Sequence, residues 1–406
     1  MGKELAVIQI NDSSVRVVLG NVIDKKPYVI YAGETPIDNL ISRGEIRDYV
    51  NLTKLIASFS HYSVEKLKIN IEISDAIVIL PPNGFEVFDI NQSTTVVSSA
   101  HIVEQTDINN IISMINNNRL PKPDVQLLDI VPDFYALDNG RKFSFAPIGQ
   151  RTSSLYVHAK VHLVPKPIYN SIVQLYAQTT IRAKTILSEQ YSLASLVKIM
   201  PDMPKTYLLV SIDDGLTSLT LVDNYSPIKS QTFPLGYKDL LDKICLKTNL
   251  GKDQVKELLH LYGYDDRELA FKPVIFKSQD LEGNEISYSP DDLNKMIKEF
   301  MNEYFVQMDA CYNSLLNGLP IQAKKLDVVY TGEFITIIGI KPFLEKYFKE
   351  SNGIHYLSPS TLGARNSKYS PLIGALVASS FKTGSLQEGE SRISRLDREE
   401  NSEKNK

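Results

Sequence analysis

Tryptophan is absent from the 406-residue sequence, and cysteine occurs only twice. Cys245 and Cys311 lie far apart and have no CxxC spacing, so they cannot form a zinc site by themselves. We expect no structural disulfide between them, because a chain with so few cysteines is typical of a reduced, cytosolic compartment.

Long apolar runs and an excess of basic residues are also missing. No stretch reaches the ~18 apolar residues of a transmembrane helix. The start, MGKELAVIQIND, has only a short apolar run that Gln9 interrupts, and it does not predict a signal peptide. The formal net charge is −4 and the sequence pI is about 6.0, which does not favour nucleic acid as a partner. We therefore expect a cytoplasmic globular protein.

The composition that remains is ordinary for such a protein, with 43% hydrophobic and 23% charged residues. The length predicts two to four packed units. Predicted strands alternate with predicted helices in both halves of the chain, which indicates an α/β fold. Two of the helices are predicted at Asn51 to about Leu67 and at Thr106 to Asn116, the second with Thr106 as its N-cap.

Two similar β-hairpins stand about two hundred residues apart. The first covers Leu5 to Gly20 (LAVIQINDSSVRVVLG), and the second covers Tyr207 to Asp223 (YLLVSIDDGLTSLTLVD). Each has an apolar strand, a short polar turn and a returning strand, and a turn of this kind can present backbone N–H groups to an anion. The pair predicts an internally duplicated fold with a cleft between its halves.

The segment after Pro81-Pro82 has a different character. Asp124 to Val131 is predicted as a strand that ends at Pro132, and Ser154 to Val164 as a long alternating strand. Four of its residues are predicted to face solvent: Tyr156, His158, Lys160 and His162. The two histidines would lie ~13 Å apart along the strand, which is too far for one metal ion.

Several blocks of sequence resemble the FtsA family of bacterial cell-division proteins, which belongs to the actin-like ATPase superfamily. They include IQINDSSVRVVLG, RGEIRDYVNL, LLDIVPDFYALDNG, PIGQRTSSLYVHAKVHLV, VSIDDGLTSLTLV, VVYTGEF and SPLIGALVASSF, and they span about residues 5 to 381. The resemblance implies a two-lobed actin-like (ribonuclease H-like) α/β fold with duplicated βββαβα cores and an FtsA-type inserted subdomain.

The implied domain boundaries follow this order. The first lobe takes residues 1–80 and 165–200 with a return helix at 371–382, and the inserted subdomain takes 81–164. The second lobe has a core at 205–235 and 321–370 and a smaller subdomain at 236–320. The polar tail, 383–406, is predicted to be disordered. Its thin apolar stripe of Ile393 and Leu396 only weakly suggests a membrane-binding helix.

The resemblance also implies an ATP site with Mg²⁺ at three turns. Its candidate residues are Ser13, Ser14, Asp213, Asp214, Gly215, Thr217, Gly332 and Glu333. The chain departs from the family pattern where the chemistry would occur. Gln9 and Ser211 stand where metal-facing aspartates are expected, and neither supplies the charge that Mg²⁺ prefers. Asp12 adds a negative charge to the first turn, and Phe334 could fill part of the adenine space.

Three outcomes remain open for this cleft: ATP hydrolysis, ATP binding without turnover, and no nucleotide. The departures predict that the protein is not an enzyme and has no catalytic or metal-ligating residues. The resemblance predicts a scaffold that recruits or organises FtsZ filaments and self-associates through the inserted subdomain, at the division site on the inner face of the cell membrane. The alternatives are an actin-like interaction protein of the pilus-assembly type and an ATP-dependent enzyme of the same superfamily.

Overall fold

The computed structural model describes residues 5–37, 39–64, 69–118, 120–265, 267, 273–279, 283–318 and 325–381. The predicted disordered tail, 383–406, lies outside these residues. No helix within the described ranges is long and apolar enough to span a bilayer.

The elements of the N-terminal half are, in chain order, β1 (Leu5–Ile10), β2 (Ser14–Ile23), β3 (Lys26–Pro36), β4 (Ile41–Ser42), β5 (Glu45–Ile46), α1 (Tyr49–Ser58), β6 (His61–Val64), β7 (Ile69–Glu72), β8 (Asp75–Leu80), β9 (Glu86–Thr95), α2 (Gln105–Asn117), β10 (Val125–Leu137), β11 (Lys142–Phe143), β12 (Ser154–Pro165), α3 (Lys166–Ala177), β13 (Arg182–Ser188) and α4 (Glu189–Ile199).

The elements of the C-terminal half are β14 (Tyr207–Ile212), β15 (Thr217–Asp223), β16 (Ser226–Phe233), α5 (Tyr237–Thr248), α6 (Lys252–Leu261), β17 (Phe276–Gln279), β18 (Glu285–Tyr288), α7 (Pro290–Leu316), β19 (Asp327–Thr331), α8 (Ile340–Tyr347), β20 (Ile354–Tyr356) and α9 (370–381), with 3-10 turns at Phe334–Thr336 and Ser367–Tyr369.

Two five-stranded sheets repeat one topology. The first has the order β13-β8-β1-β2-β3, and the second has the order β20-β19-β14-β15-β16. In each, the first two strands along the chain form an antiparallel hairpin, the third extends it antiparallel, and two later strands add in parallel on the other side. Helices connect the parallel strands, as parallel pairing requires. The α/β prediction and the internal duplication are confirmed.

The two sheets share a core. We call the first sheet with α1, α3 and α4 the first lobe, and the second sheet with α5 to α8 the second lobe. Between the sheets, α4 and α9 pack against apolar residues of both, such as Val7 of β1 and Leu209 of β14. Burial of this interface fixes the position of the two hairpins relative to each other.

A separate four-stranded sheet, of order β11-β10-β12-β9, is built from the segment after Pro81-Pro82. We call it the middle sheet. α2 covers one of its faces through Ile108, Ile111 and Ile115, which pack against inward residues of β12. β10 runs through Pro132 to Leu137, whereas a break at Pro132 was predicted. The strand absorbs the proline at an irregularity in its pairing with β12, between Pro132 and Phe134.

Three other local predictions are wrong. α1 ends at Ser58 and does not reach Leu67, because residues 61–64 pair with residues 69–72 as a hairpin. α2 begins one residue earlier than predicted, with Glu104 as N-cap, whose backbone N–H donates to the Asp107 carboxylate.

The third concerns β12. His162 and Lys160 are buried and do not face solvent. The ring of His162 packs edge-on against Phe85 and Tyr191, because this end of the strand passes under the first lobe.

Candidate functional site

The cleft lies between the lobes where three turns meet. The first turn joins β1 to β2, the second joins β14 to β15, and the third follows β19. The short turns hold together by their own backbone hydrogen bonds, from Asn11 N–H to the Ser14 carbonyl (2.8 Å) and from Asp213 N–H to the Leu216 carbonyl (3.3 Å). The two hairpins therefore present their turns to each other across the cleft.

The first and second turns are joined by a carboxylate. The backbone N–H and the hydroxyl of Ser13 both donate to Oδ2 of Asp214, each at 2.6 Å. Ser13 and Asp214, which were both predicted for the site, are thus brought together. Asp214 bonds the N–H and the hydroxyl that the resemblance assigns to a nucleotide phosphate.

Asp12, which follows Asn11 in the first turn, is also satisfied within the protein. Its carboxylate is buried and accepts from the N–H groups of Arg43 (2.6 Å) and Gly44 (3.0 Å). Its Oδ2 would lie 2.3 Å from a Cβ added at Gly215, so glycine is needed where the two turns touch. Asp12, which was predicted to face a phosphate, instead accepts hydrogen bonds from the backbone of its own lobe.

Arg43 then reaches across to the second lobe. Its guanidinium pairs with Asp239 at 2.6 Å and also donates to the Gly215 carbonyl. Asp239 lies in the first turn of α5 and accepts from the Gly236 N–H at 2.8 Å, which caps that helix. The contact therefore fixes the start of α5 against the first lobe.

A second cross-lobe contact centres on Arg16 of β2, whose side chain is fully buried. Its guanidinium pairs with Glu34 of β3 at 2.9 Å, with Asp213 at 3.0 Å and with Glu333 at 2.7 Å. Glu34 also accepts from Lys368 at 2.5 Å. Glu34 belongs to the first lobe, whereas Asp213 and Glu333 belong to the second. We call these five residues the Arg16 network.

The pKa values of the network follow from burial and charge. Burial opposes the charge of Arg16, but its carboxylate partners hold its pKa well above the ordinary value. Burial raises the pKa of Asp213 and of Glu333, against the opposing effect of Arg16. For Glu34 burial has the same upward effect, yet Arg16 and Lys368 together lower its pKa to about 2. The network is a buried cation surrounded by carboxylates.

Gln9 and Ser211, which occupy the two expected metal-facing positions, bind a carboxyl group. Glu189, the first residue of α4, accepts from Gln9 Nε2 at 3.2 Å and from the Ser211 hydroxyl at 3.0 Å. Burial, and then the charge of Asp213, raise the pKa of Glu189 to about 8. One side chain thus connects β1 of the first lobe with β14 of the second.

The other predicted residues make contacts within the protein around the cleft. The Ser14 hydroxyl donates to Glu34 at 2.7 Å, and the Thr217 hydroxyl donates to the Leu235 carbonyl at 2.7 Å. Gly332 has φ +100°, and a Cβ there would lie 2.2 Å from the Ile212 carbonyl oxygen. Phe334 is fully buried beside the rings of Phe300 and Tyr304.

Sequence reasoning missed five of the residues that connect the lobes or anchor them: Arg16, Glu34, Arg43, Glu189 and Lys368. Arg16 had a visible signal, since it is a single charge among the apolar residues of the returning strand of the first hairpin. A charge that such a strand buries needs a partner. The other four lie in segments whose pattern does not distinguish them from exposed charges.

No protein-family model matches this sequence, and no curated protein matches it. Solved structures do match. A chain from the PilM–PilN type IV pilus biogenesis complex superposes with a TM-score of 0.60 at 13% identity, covering 93% of this chain and 98% of that one. This chain has the two-lobed actin-like fold.

Two further structures are similar. MreB5 of Spiroplasma citri bound to AMPPNP has a TM-score of 0.52 at 12% identity, and the match covers 96% of this chain and all of that one. The ethanolamine utilization protein EutJ from Carboxydothermus hydrogenoformans has a TM-score of 0.50 at 9% identity, with 93% and 90% covered. At these identities the likeness is one of fold, and it confirms the predicted fold class.

Proposed function

We propose that this protein is an actin-like scaffold that neither binds nor hydrolyses a nucleotide and whose lobes are held together by its own side chains. The observation that carries the proposal is the bond of Asp214 to the N–H and hydroxyl of Ser13. A phosphate bound at the first turn would have to displace this carboxylate from the groups that it would itself use.

Electrostatics supports the same conclusion. A nucleotide phosphate entering between the turns would approach Asp12, Asp213 and Asp214. Neighbouring like charges repel strongly in a partly buried site. Arg16 has its guanidinium engaged by three carboxylates already. Gln9 and Ser211 leave the two metal-facing positions without a carboxylate of their own, which is the ligand type that Mg²⁺ prefers.

Calorimetry with MgATP tests the nucleotide part of this proposal. We expect no saturable heat from the full-length protein, and no rise in its melting temperature at ~5 mM MgATP. A site with a dissociation constant of ~50 µM would be filled at ~100-fold excess and would stabilise the fold by ~2.7 kcal/mol. A dissociation constant below ~100 µM, equivalent to ~5.5 kcal/mol of binding, would overturn the proposal.

For the scaffold role, we propose the recruitment or organisation of FtsZ filaments, with self-association through the middle sheet. The support is the set of sequence blocks that resemble the FtsA family, above all LLDIVPDFYALDNG and PIGQRTSSLYVHAKVHLV, which form β10 and β12. Co-sedimentation with polymerised FtsZ is the test. If the protein stays in the supernatant at micromolar concentrations of both partners, the division role is wrong.

One observation favours a second candidate, an adaptor of the pilus-assembly type. The match to the chain from the PilM–PilN complex extends over nearly the full length of both chains. In that case the protein would bind a PilN-like partner and leave FtsZ polymers alone. Running both partners through the same sedimentation assay separates the two candidates.

A further inference from the structure

The face of the middle sheet opposite α2 carries a cluster of potential metal ligands that the cleft does not use. It consists of Asp89 on β9, Asp133 on β10 and His158 on β12. The atoms that these three side chains offer to a metal all lie within 4.8 Å of one another. We call them the His158 cluster. They come from adjacent strands and lie on the face opposite α2.

The register of the strands explains why these residues meet. Lys160 of β12 is paired with Asp89 of β9, and His158 is paired with Phe134 of β10. In a regular strand, Asp133 would point to the face opposite that of Phe134, because side chains alternate. The irregularity between Pro132 and Phe134 instead brings Asp133 to within 3.0 Å of His158 Nδ1. A β-bulge commonly redirects a side chain in this way next to a functional site.

The surroundings also fit a ligand site. The ring of Phe134 stacks on that of His158 with centroids 5.3 Å apart and an interplanar angle of 8°, which fixes the imidazole. Beside it is a cavity of about 170 Å³ that Asn91, Ser93 and Tyr156 help to line. This space can admit solvent or a further ligand to an ion held by the cluster.

We propose that the His158 cluster is a binding site for a first-row divalent cation of the zinc type. One imidazole and two carboxylates are a donor set that such ions accept, and three protein ligands leave coordination positions for water. The neutral imidazole would supply a ring nitrogen, and each carboxylate an oxygen.

Lys160 gives the site an internal competitor. Its ammonium group bonds to Asp133 and lies 3.9 Å from Asp89, so it neutralises the carboxylates that a metal would use. Cation binding therefore requires Lys160 to move aside, and its removal has to strengthen binding. This dependence distinguishes the proposed site from adventitious binding to surface acids.

Titration of the full-length protein with Zn²⁺, and with Co²⁺ for its visible absorption, tests the proposal. We expect one saturable site. The variants His158→Gln and Asp133→Asn should each weaken binding by at least about tenfold, and Lys160→Met should tighten it about tenfold. His355→Gln is the matched control, since His355 pairs with Asp327 at 3.1 Å with closely similar exposure but lies outside the cluster.

The control variant should bind as the unaltered protein does. Circular dichroism checks that each variant folds, and Lys160→Gln replaces Lys160→Met if the latter does not. The proposal is wrong if neither the unaltered protein nor the Lys160 variant binds below ~1 mM. It is also wrong if loss of His158 and loss of His355 have the same effect.

Discussion

Replacing Arg16 by methionine should destabilise the protein more than the loss of any exposed charge. The substitution keeps most of the side-chain length but removes three ion pairs of 2.7–3.0 Å. The carboxylates left behind are themselves largely buried: the exposed fractions of the side chains are 11% for Asp213, 16% for Glu333 and 24% for Glu34. Without the guanidinium between them they would repel one another, although Lys368 would still pair with Glu34.

The magnitude follows from that geometry. Removal of one partner from a buried ion pair costs about 3–5 kcal/mol, because the remaining charge is buried without compensation. For lobes of about 200 residues, each kcal/mol lowers the melting temperature by about 2–4 °C, so we expect a fall of at least ~6 °C. Thermal and urea unfolding followed by circular dichroism measure it.

Two comparisons make this prediction specific. Arg182→Met removes an ion pair with Asp75 in which the arginine side chain is 74% exposed, and it should cost about 0–1 kcal/mol. Adding Asp213→Asn and Glu333→Gln to Arg16→Met should recover most of the lost stability. The two neutral amides do not repel each other, so no cation is required between them. If Arg16→Met costs no more than Arg182→Met, the Arg16 network does not hold the lobes.

Two further predictions concern residues around the cleft. Glu189 has a pKa of about 8 in the folded protein against an ordinary value of 4.5, so the stability it contributes is complete below pH ~4.5 and is lost as the pH rises to 8. The free energy of unfolding of Glu189→Gln should therefore rise relative to that of the unaltered protein by up to about 1.4 kcal/mol per pH unit in that window. For Glu303→Gln, a control at an exposed residue, the curve of unfolding free energy against pH should run parallel to that of the unaltered protein. A parallel curve for Glu189→Gln would contradict the argument. Gly332→Ala should unfold at clearly lower urea concentration than Gly140→Ala, because both glycines have positive φ but only the first lies against backbone; equal midpoints would show that the close approach does not matter.

The core of the fold could be predicted from the sequence because it repeats. Both hairpins have apolar strands on each side of a polar turn, and this pattern places them in equivalent positions of two sheets. The wrong predictions of element bounds arose where pairing between strands outweighed the local sequence pattern. Pro132 was predicted to end a strand, but an irregularity in the pairing of β10 with β12 accommodates it. Residues 61–64 were predicted to continue a helix, but they pair with residues 69–72 as a β-hairpin.

The contacts across the cleft could not be predicted in the same way. Asp214 and Ser13 are 201 residues apart, and Arg16 and Glu333 are 317 apart. Neither spacing leaves a periodic signal in the sequence. The sequence did reveal which turns had changed, since Gln9, Ser211 and Asp12 depart from the family pattern. It did not reveal their partners: Gln9 and Ser211 both donate to Glu189, and Asp12 accepts from backbone N–H groups of Arg43 and Gly44.

The changes around the cleft form a consistent set, and this bears on how the protein would be regulated. In a two-lobed protein that closes on a ligand, the population of the closed state depends on ligand concentration. Here Asp214, Arg16, Arg43 and Glu189 make the connecting contacts, and all four belong to the chain itself. Their local concentration does not vary, so on the proposed function closure would not follow the supply of a nucleotide. On the proposed function, any switching would have to come from a bound partner, from a cation or from a change of protonation.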